Sequence, residues 1–188
     1  MGAATEQEEP MFRDVYEALK FAFNFSHGQV KKPLIAYFSG GSRRSRGLVG
    51  QDGAAQAGLI LAEVSKLPEK HSQYILAARF AKQFVECNCC VVCCSGQKPN
   101  QVWVDAISEV TDYVVCALSG ISNYRLRRSL VERYFGAKAT FSVIAERNRV
   151  NRATASIQNE KIAPLLGKEE RRAMLHIADA FHGLKLTA

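Results

Sequence analysis

Between positions 151 and 159 the chain reads Asn151-Arg152-Ala153-Thr154-Ala155-Ser156-Ile157-Gln158-Asn159, and its polar members are the side chains that read base edges in duplex DNA. Arginine pairs with guanine O6 and N7, and asparagine or glutamine with adenine N6 and N7. Each good bidentate pair contributes about 1–3 kcal/mol of discrimination. Such residues work only on a rigid element that fits the major groove. Asn151 is a helix-capping type, and on the helix it starts, Asn151, Arg152, Thr154, Ala155, Ser156, Gln158 and Asn159 take the N-terminal and outward positions while Ala153 and Ile157 pack inward. Upstream, Ala145 supplies the small residue where two helices cross, and Ile144 and Val150 supply apolar flanks to a turn, as a helix-turn-helix requires. Two departures stand out: Arg149 occupies the turn position usually held by glycine, and Asn148 sits where an apolar residue is common.

The electrostatics fit the same segment. Residues 122–172 hold 12 Lys/Arg against 5 Asp/Glu, so the whole formal charge of +7 resides there and the remaining 13 basic and 13 acidic residues cancel. A confined basic field beside a groove-reading element is the footprint of a duplex binder. Arg125, Arg127, Arg128, Arg133, Arg147 and Arg149 would position the backbone through phosphates. The plainer alternative is a helical hairpin with a solvated basic face.

A second concentration of chemistry is Cys87-Asn-Cys89-Cys90-Val-Val-Cys93-Cys94, five of the six cysteines within eight residues. In a reducing compartment such crowding argues for a metal site more than for disulfides. Tetrahedral zinc needs four thiolates at about 2.3 Å, and Cys87, Cys89, Cys93 and Cys94 are the expected ligands. Only Cys90 and Cys93 have knuckle spacing, so a redox switch and a metal-free turn stay open. Cys116 stands apart as an expected core residue. Catalysis has little support: His27, His71, His176 and His182 are scattered, and no paired carboxylates, nucleophile motif or phosphate loop accompanies them.

The elements that must carry these residues read as helices. Phe12, Val15, Tyr16, Leu19 and Phe23 recur on one helical face, with Pro10 in the first turn. Asp52 caps a helix bearing Ala54, Ala57, Leu61 and Val64, ended by Pro68. Tyr74, Ala78, Ala81 and Val85 follow in register. The clearest helix carries Trp103, Ala106, Ile107, Val110, Tyr113, Val114, Ala117 and Leu118, closed by Gly120. Another starts at Ser122, turns Leu130, Val131 and Tyr134 inward, and ends at Gly136. The helix-turn-helix pair occupies 140–163 and stops near Pro164, with a last helix from about Lys168 that places Met174, Ile177 and Phe181 on one face. No alternating strand pattern and no internal repeat are evident, so the expected class is all-α.

Residues 26–53 lack periodicity. They hold seven glycines or prolines, with Lys31, Lys32, Arg43, Arg44 and Arg46 and no acid before Asp52. A basic, Gly-rich loop this long is unusual in a compact domain, though a flexible linker has the same composition. The expected organisation is a tail and amphipathic helix over 1–25, this loop over 26–53, a helical body over 54–120 with the Cys-rich insert at 87–100, and a DNA-binding region over 121–188. With 47% apolar residues the chain can bury a substantial core. It has no apolar run approaching a membrane span, and its acidic first ten residues do not resemble a signal peptide. A cytoplasmic location is expected.

This order of parts, with the block ending Cys93-Cys94-Ser-Gly-Gln-Lys-Pro-Asn100, the Trp103 helix and the C-terminal helix-turn-helix, resembles the phage Q-type transcription antiterminators from about Phe12 to Phe181. The resemblance implies a non-enzymatic protein that binds a DNA element near a promoter, engages paused RNA polymerase core with its σ factor, and travels with the elongating enzyme. It further implies a narrow N-terminal ring in the RNA exit channel that stops terminator hairpins forming. The ring maps to 26–53, where Lys31, Lys32, Arg43, Arg44 and Arg46 would line a hole for the nascent RNA, glycines permitting its tight turns. No membrane and no small-molecule substrate enter this picture. The competing readings are a promoter-bound activator or repressor acting only at initiation, and a zinc or thiol-redox enzyme built on the cysteine block.

Overall fold

A computed structural model describes residues 11–29, 51–87, 96–120, 123–184 and 186–187. The described part is mostly helical, as the sequence patterning predicts. Seven helices are present among these residues: α1 (Val15–Gln29), α2 (Gln51–Ser65), α3 (Lys70–Phe80), α4 (Gln101–Ala117), α5 (Tyr124–Tyr134), α6 (Phe141–Asn148) and α7 (Arg152–Gly183). One two-stranded antiparallel hairpin, β1 (Phe84–Glu86) and β2 (Gln97–Pro99), interrupts them. No helix among the described residues is long and apolar enough to cross a membrane.

The chain divides into two compact units. One comprises α1, α2 and the end of α7 from Met174 onward, and the other spans Leu67–Ala173. In the first unit Ala18, Leu19 and Ala22 of α1, Ala57, Ile60 and Val64 of α2, and Ile177 and Phe181 of α7 are buried. The buried face of α2 differs from the expected one, since Ala54 and Leu61 are exposed and Ile60 is fully buried. The two ends of the described chain close this unit: Phe12 N–H donates to Leu186 O at 3.0 Å, and Phe12 bridges Thr187 in parallel.

In the second unit α3 packs on α4 and α4 on α5. Asn100, 1% exposed, acts as a joint between the hairpin and α4. Its Oδ1 caps α4 by accepting from Val102 N–H, its Nδ2 donates to Lys82 O at 2.8 Å, and its backbone N–H donates to Gln83 O. Indole Nε1 of Trp103 donates to Ala78 O, fixing α4 against α3. The hairpin is a departure from the strand-free expectation. Each strand has only three residues, paired Phe84 with Pro99, Val85 with Lys98 and Glu86 with Gln97, too short for alternation to register.

Helix α7 is the larger departure. It runs unbroken for 32 residues through Pro164, instead of ending there and restarting near Lys168. Proline in a helix interior costs about 3 kcal/mol, but the buried face continues on both sides of it: Ala155, Ile162, Leu166, Ala173, Ile177 and Phe181. Burying each large apolar side chain contributes roughly 1.5–3 kcal/mol, so the residues beyond Pro164 outweigh its penalty. The cost is further limited because Pro164 and Glu160, whose carbonyl loses its donor, are both exposed to water.

Polar contacts then lock α7 within the second unit. Glu170 accepts a bidentate pair from Arg79, at 2.6 and 2.7 Å, and a hydrogen bond from Tyr134 Oη at 2.8 Å. Gly167 faces the Tyr134 hydroxyl, which a Cβ there would contact at 3.4 Å. Burial first, then the hydrogen bond to Glu170, pushes the Tyr134 phenol up to about 12. Unfolded tyrosine ionises near pH 10, so the folded state holds this proton more tightly. Its stabilising contribution is complete below about pH 10 and is lost as pH rises through about 12. Urea midpoints of the wild type are therefore expected to fall more steeply across that window than those of Tyr134→Phe, which should start about 1 kcal/mol less stable at neutral pH. Parallel decline of the two proteins would show that the fold does not retain the proton.

Candidate nucleic-acid interface

Three consecutive helices, α5, α6 and α7, carry the basic segment. Helix α6 begins at Thr140, whose Oγ1 accepts from Val143 N–H, and ends at Arg149 in the left-handed conformation, φ 54° and ψ 44°. Arg149 N–H donates to Glu146 O at 3.1 Å, and Val150 N–H to Ala145 O at 3.0 Å. This pair of bonds satisfies the last carbonyls of α6 in the Schellman manner. Two residues later Asn151 Oδ1 accepts from Ala153 N–H at 2.9 Å, and α7 begins at Arg152. Capping, reversal and renewed helix thus occupy only 149–151, the length a helix-turn-helix connection requires. Arg149 stands where glycine is usual because the position needs a positive φ, and it adopts that φ itself.

Asn148 also has a local explanation. Its Nδ2 donates to Ile144 O at 2.7 Å and to Ser129 Oγ at 3.3 Å, joining α6 to α5 where an apolar residue would otherwise pack. Ile144 and Ala145 are buried, as expected.

The rotation of α7 changes part of the expected reading face. Ala155, placed outward by the sequence, is fully buried, while Ala153 and Ile157, placed inward, are exposed, Ile157 at 54%. The cause is the long stripe formed with Ile162, Leu166 and Ala173, which was hidden by ending the helix at Pro164. Asn151, Arg152 and Thr154 are exposed as expected. Ser156, Gln158 and Asn159 are half-buried at the flanks, and Gln158 Oε1 is a buried acceptor without a donor among the described residues. Asn159 lines a concavity of about 500 Å³ with Arg133, Lys138 and Thr140. The exposed end of α7 and its cap therefore offer one amide, one guanidinium, one hydroxyl and two apolar side chains, Ala153 and Ile157. The exposure of Ile157 escapes the sequence because periodicity in a short window assigns it to the core.

The arginines separate into three groups. Arg125, Arg147 and Arg149 are exposed and line a concavity of about 370 Å³ with Asn123 and Asn148. Arg128 is not with them: its Nε donates to Glu132 and its Nη1 to Ser108 of α4 at 2.9 Å. Arg127 is buried at 4% exposure, and Arg133 donates to Ala139 O while lying 4.3 Å over the Phe141 ring. Arg128 ties α5 to α4, Arg133 ties it to the start of α6, and Arg127 is part of the buried interior.

Of the cysteines, Cys87 is half-buried and its backbone N–H donates to Gly96 O at 2.9 Å, extending the pairing of β1 with β2. Cys89, Cys93 and Cys94 lie outside the described residues, as do the basic residues Lys31, Lys32, Arg43, Arg44 and Arg46. Cys116, expected in the core, is exposed on α4 because the buried stripe there runs through Val110, Thr111 and Val114. Away from both regions, Glu69, His71 and Glu169 bring possible ligand atoms within 4.8 Å of one another. Arg172 lies 3.0 Å from Glu69 and 3.9 Å from Glu169, and His71 stacks on Tyr113 at 4.0 Å. With that guanidinium beside both carboxylates, the group reads as an ion-pair network. His176 and His182 are exposed on α7.

No protein-family model, characterised protein or solved structure matches this chain. The functional reading therefore rests on the chain's own chemistry.

Proposed function

We propose that the chain is a sequence-specific DNA-binding protein that inserts the start of α7 into the major groove. The observation that carries this reading is the short connection at 149–151, followed by exposed Asn151, Arg152 and Thr154 at the very start of a helix. That is where a recognition helix places its base-contacting residues. Clustering of the net charge in the same segment supports it. Ser156, Gln158 and Asn159 would contribute from the flanks, and Arg147 and Arg149 through phosphates. Arg128, engaged by Ser108 and Glu132, would act by supporting α5.

The role we propose for that binding is transcription antitermination: loading onto promoter-proximal paused RNA polymerase with its σ factor, and forming a narrow ring at the RNA exit channel from the basic residues of the expected loop 26–53 that lie between α1 and α2. The order of parts supports it: a basic Gly-rich segment, a Cys-rich hairpin loop, a Trp-bearing helix and a C-terminal helix pair. The competing role is a promoter-bound regulator that acts only at initiation. In the cysteine loop we propose a structural zinc ion. Five thiols within eight residues offer the soft donors zinc prefers, and the hairpin closed at Cys87 would bring the ends of that loop together.

Arg152→Ala is expected to weaken binding to a selected preferred duplex about ten-fold or more while changing random-duplex binding little. Uniform weakening in a mobility-shift assay would reject the groove assignment. In a purified transcription reaction on a terminator-bearing template, deleting residues 31–50 should abolish read-through and spare DNA binding. An initiation regulator would instead raise or lower transcript upstream and downstream of the terminator equally. Metal analysis of protein purified without added metal should find one zinc per chain, lost on replacing Cys87 and Cys94 by serine; a metal-free protein with unchanged stability under chelation would remove zinc from the account.

A further inference from the structure

Three side chains from separate places in the sequence converge beside the helix connection. Arg125 comes from the first turn of α5, Arg147 from the last turn of α6 and Arg149 from the turn itself, and together they line the concavity of about 370 Å³ floored by Asn123 and Asn148. None of the three forms an ion pair with a carboxylate among the described residues. Three like charges lining one hollow favour an anion between them. The N-terminal end of α5, capped by Asn123 Oδ1 on Leu126 N–H, adds the positive end of a helix dipole to the same hollow.

Arg149 gives the second, independent observation. It is the only non-glycine residue with positive φ among those described, in a conformation that glycine adopts without steric cost. An unfavourable backbone at a position glycine would suit points to use of the side chain. A guanidinium is the side chain best shaped to grip a phosphate through two parallel hydrogen bonds.

We propose that Arg125, Arg147 and Arg149 form a preformed seat for a single phosphate of the duplex backbone, and that the strained turn is retained because it delivers Arg149 to that seat. Sited just before the capped start of α7, the seat sets the depth and register at which Arg152 and Thr154 meet the bases. It rests on the DNA-binding reading for the source of the phosphate, but not for the existence of the site.

The test uses the full chain with Arg149→Gly and Arg125→Ala. Glycine relieves the turn, so Arg149→Gly should melt about 2–4 °C higher than the wild type, while Arg125→Ala should melt unchanged. Inorganic phosphate, compared with chloride at equal ionic strength, should raise the melting temperature of the wild type and of neither variant. A random-sequence DNA duplex should bind each variant about ten-fold more weakly, with a log–log salt dependence shallower by about one. A more stable protein that binds worse is an outcome a purely structural role for Arg149 does not produce. Wild-type duplex affinity and salt slope in Arg149→Gly would overturn the seat, even with the Arg152→Ala effect intact. A phosphate response lost in both variants, with no duplex bound by the wild type, would keep the seat and reject the duplex as its source. Tighter binding of an RNA duplex than of DNA would overturn the assigned occupant.

Discussion

Within the second unit α7 has a single buried stripe, Ala155, Ile162, Leu166, Glu169 and Ala173, and the rotation of that part of the helix about its axis follows from it. Most of the side chains that set this rotation lie well beyond the first two turns, where DNA chemistry is proposed. Turning α7 enough to bury Ile157 would expose Ile162 and Leu166, forfeiting roughly 1.5–3 kcal/mol for each. The residues offered to solvent at 151–157 are therefore dictated by packing further along the same helix. The continuity through Pro164 transmits that constraint, since a break there would let the first three turns rotate independently.

Polar contacts make the same arrangement specific. Glu170 receives Arg79 from α3 and Tyr134 from α5, so a one-position rotation of α7 would leave a half-buried carboxylate and a guanidinium without partners. Breaking such a pair is far more costly than its formation is favourable, so the network acts against alternative packings more than it adds to stability. Gly167 lies beside the same device: a Cβ there would just reach contact with the Tyr134 hydroxyl, at 3.4 Å. Nearby, Glu69, His71, Glu169 and Arg172 bind the start of α3 to the next turn of α7.

Much of the helical layout was legible in the sequence because it is written in local terms. Asn100, Thr140 and Asn151 accept helix-start N–H groups at their side-chain oxygens, Gly120 and Gly136 have the positive φ expected where α4 and α5 stop, and Trp103 through Val114 shows an uninterrupted 3.6-residue period. What escaped depended on non-local balances. Pro164 reads as a stop in isolation, and only the summed burial of Leu166, Ile177 and Phe181 overrides it. The reading face was misassigned at Ala155 and Ile157 for the same reason, because a nine-residue window does not contain the residues that set its register. Arg128 looked like its neighbours Arg125 and Arg147, and only the partner on α4, Ser108, separates them. The β-hairpin escaped because three residues per strand leave no period to detect.

The turn at Arg149 joins these levels. A connection of three residues between two helices needs one left-handed position, and glycine would meet that need at the least steric cost. With arginine there, the backbone is less favourable, but the Cα from which the side chain springs is held by the same hydrogen bonds that cap α6. A guanidinium on a flexible loop would lose side-chain and backbone freedom on meeting a phosphate, at a cost of about 1–2 kcal/mol for each ordered backbone residue. Fixing the backbone beforehand removes that part of the cost from binding and transfers it to folding. On the proposed reading, stability and recognition are thus opposed at Arg149 in the turn, while along α7 the packing that stabilises the helix would also aim it.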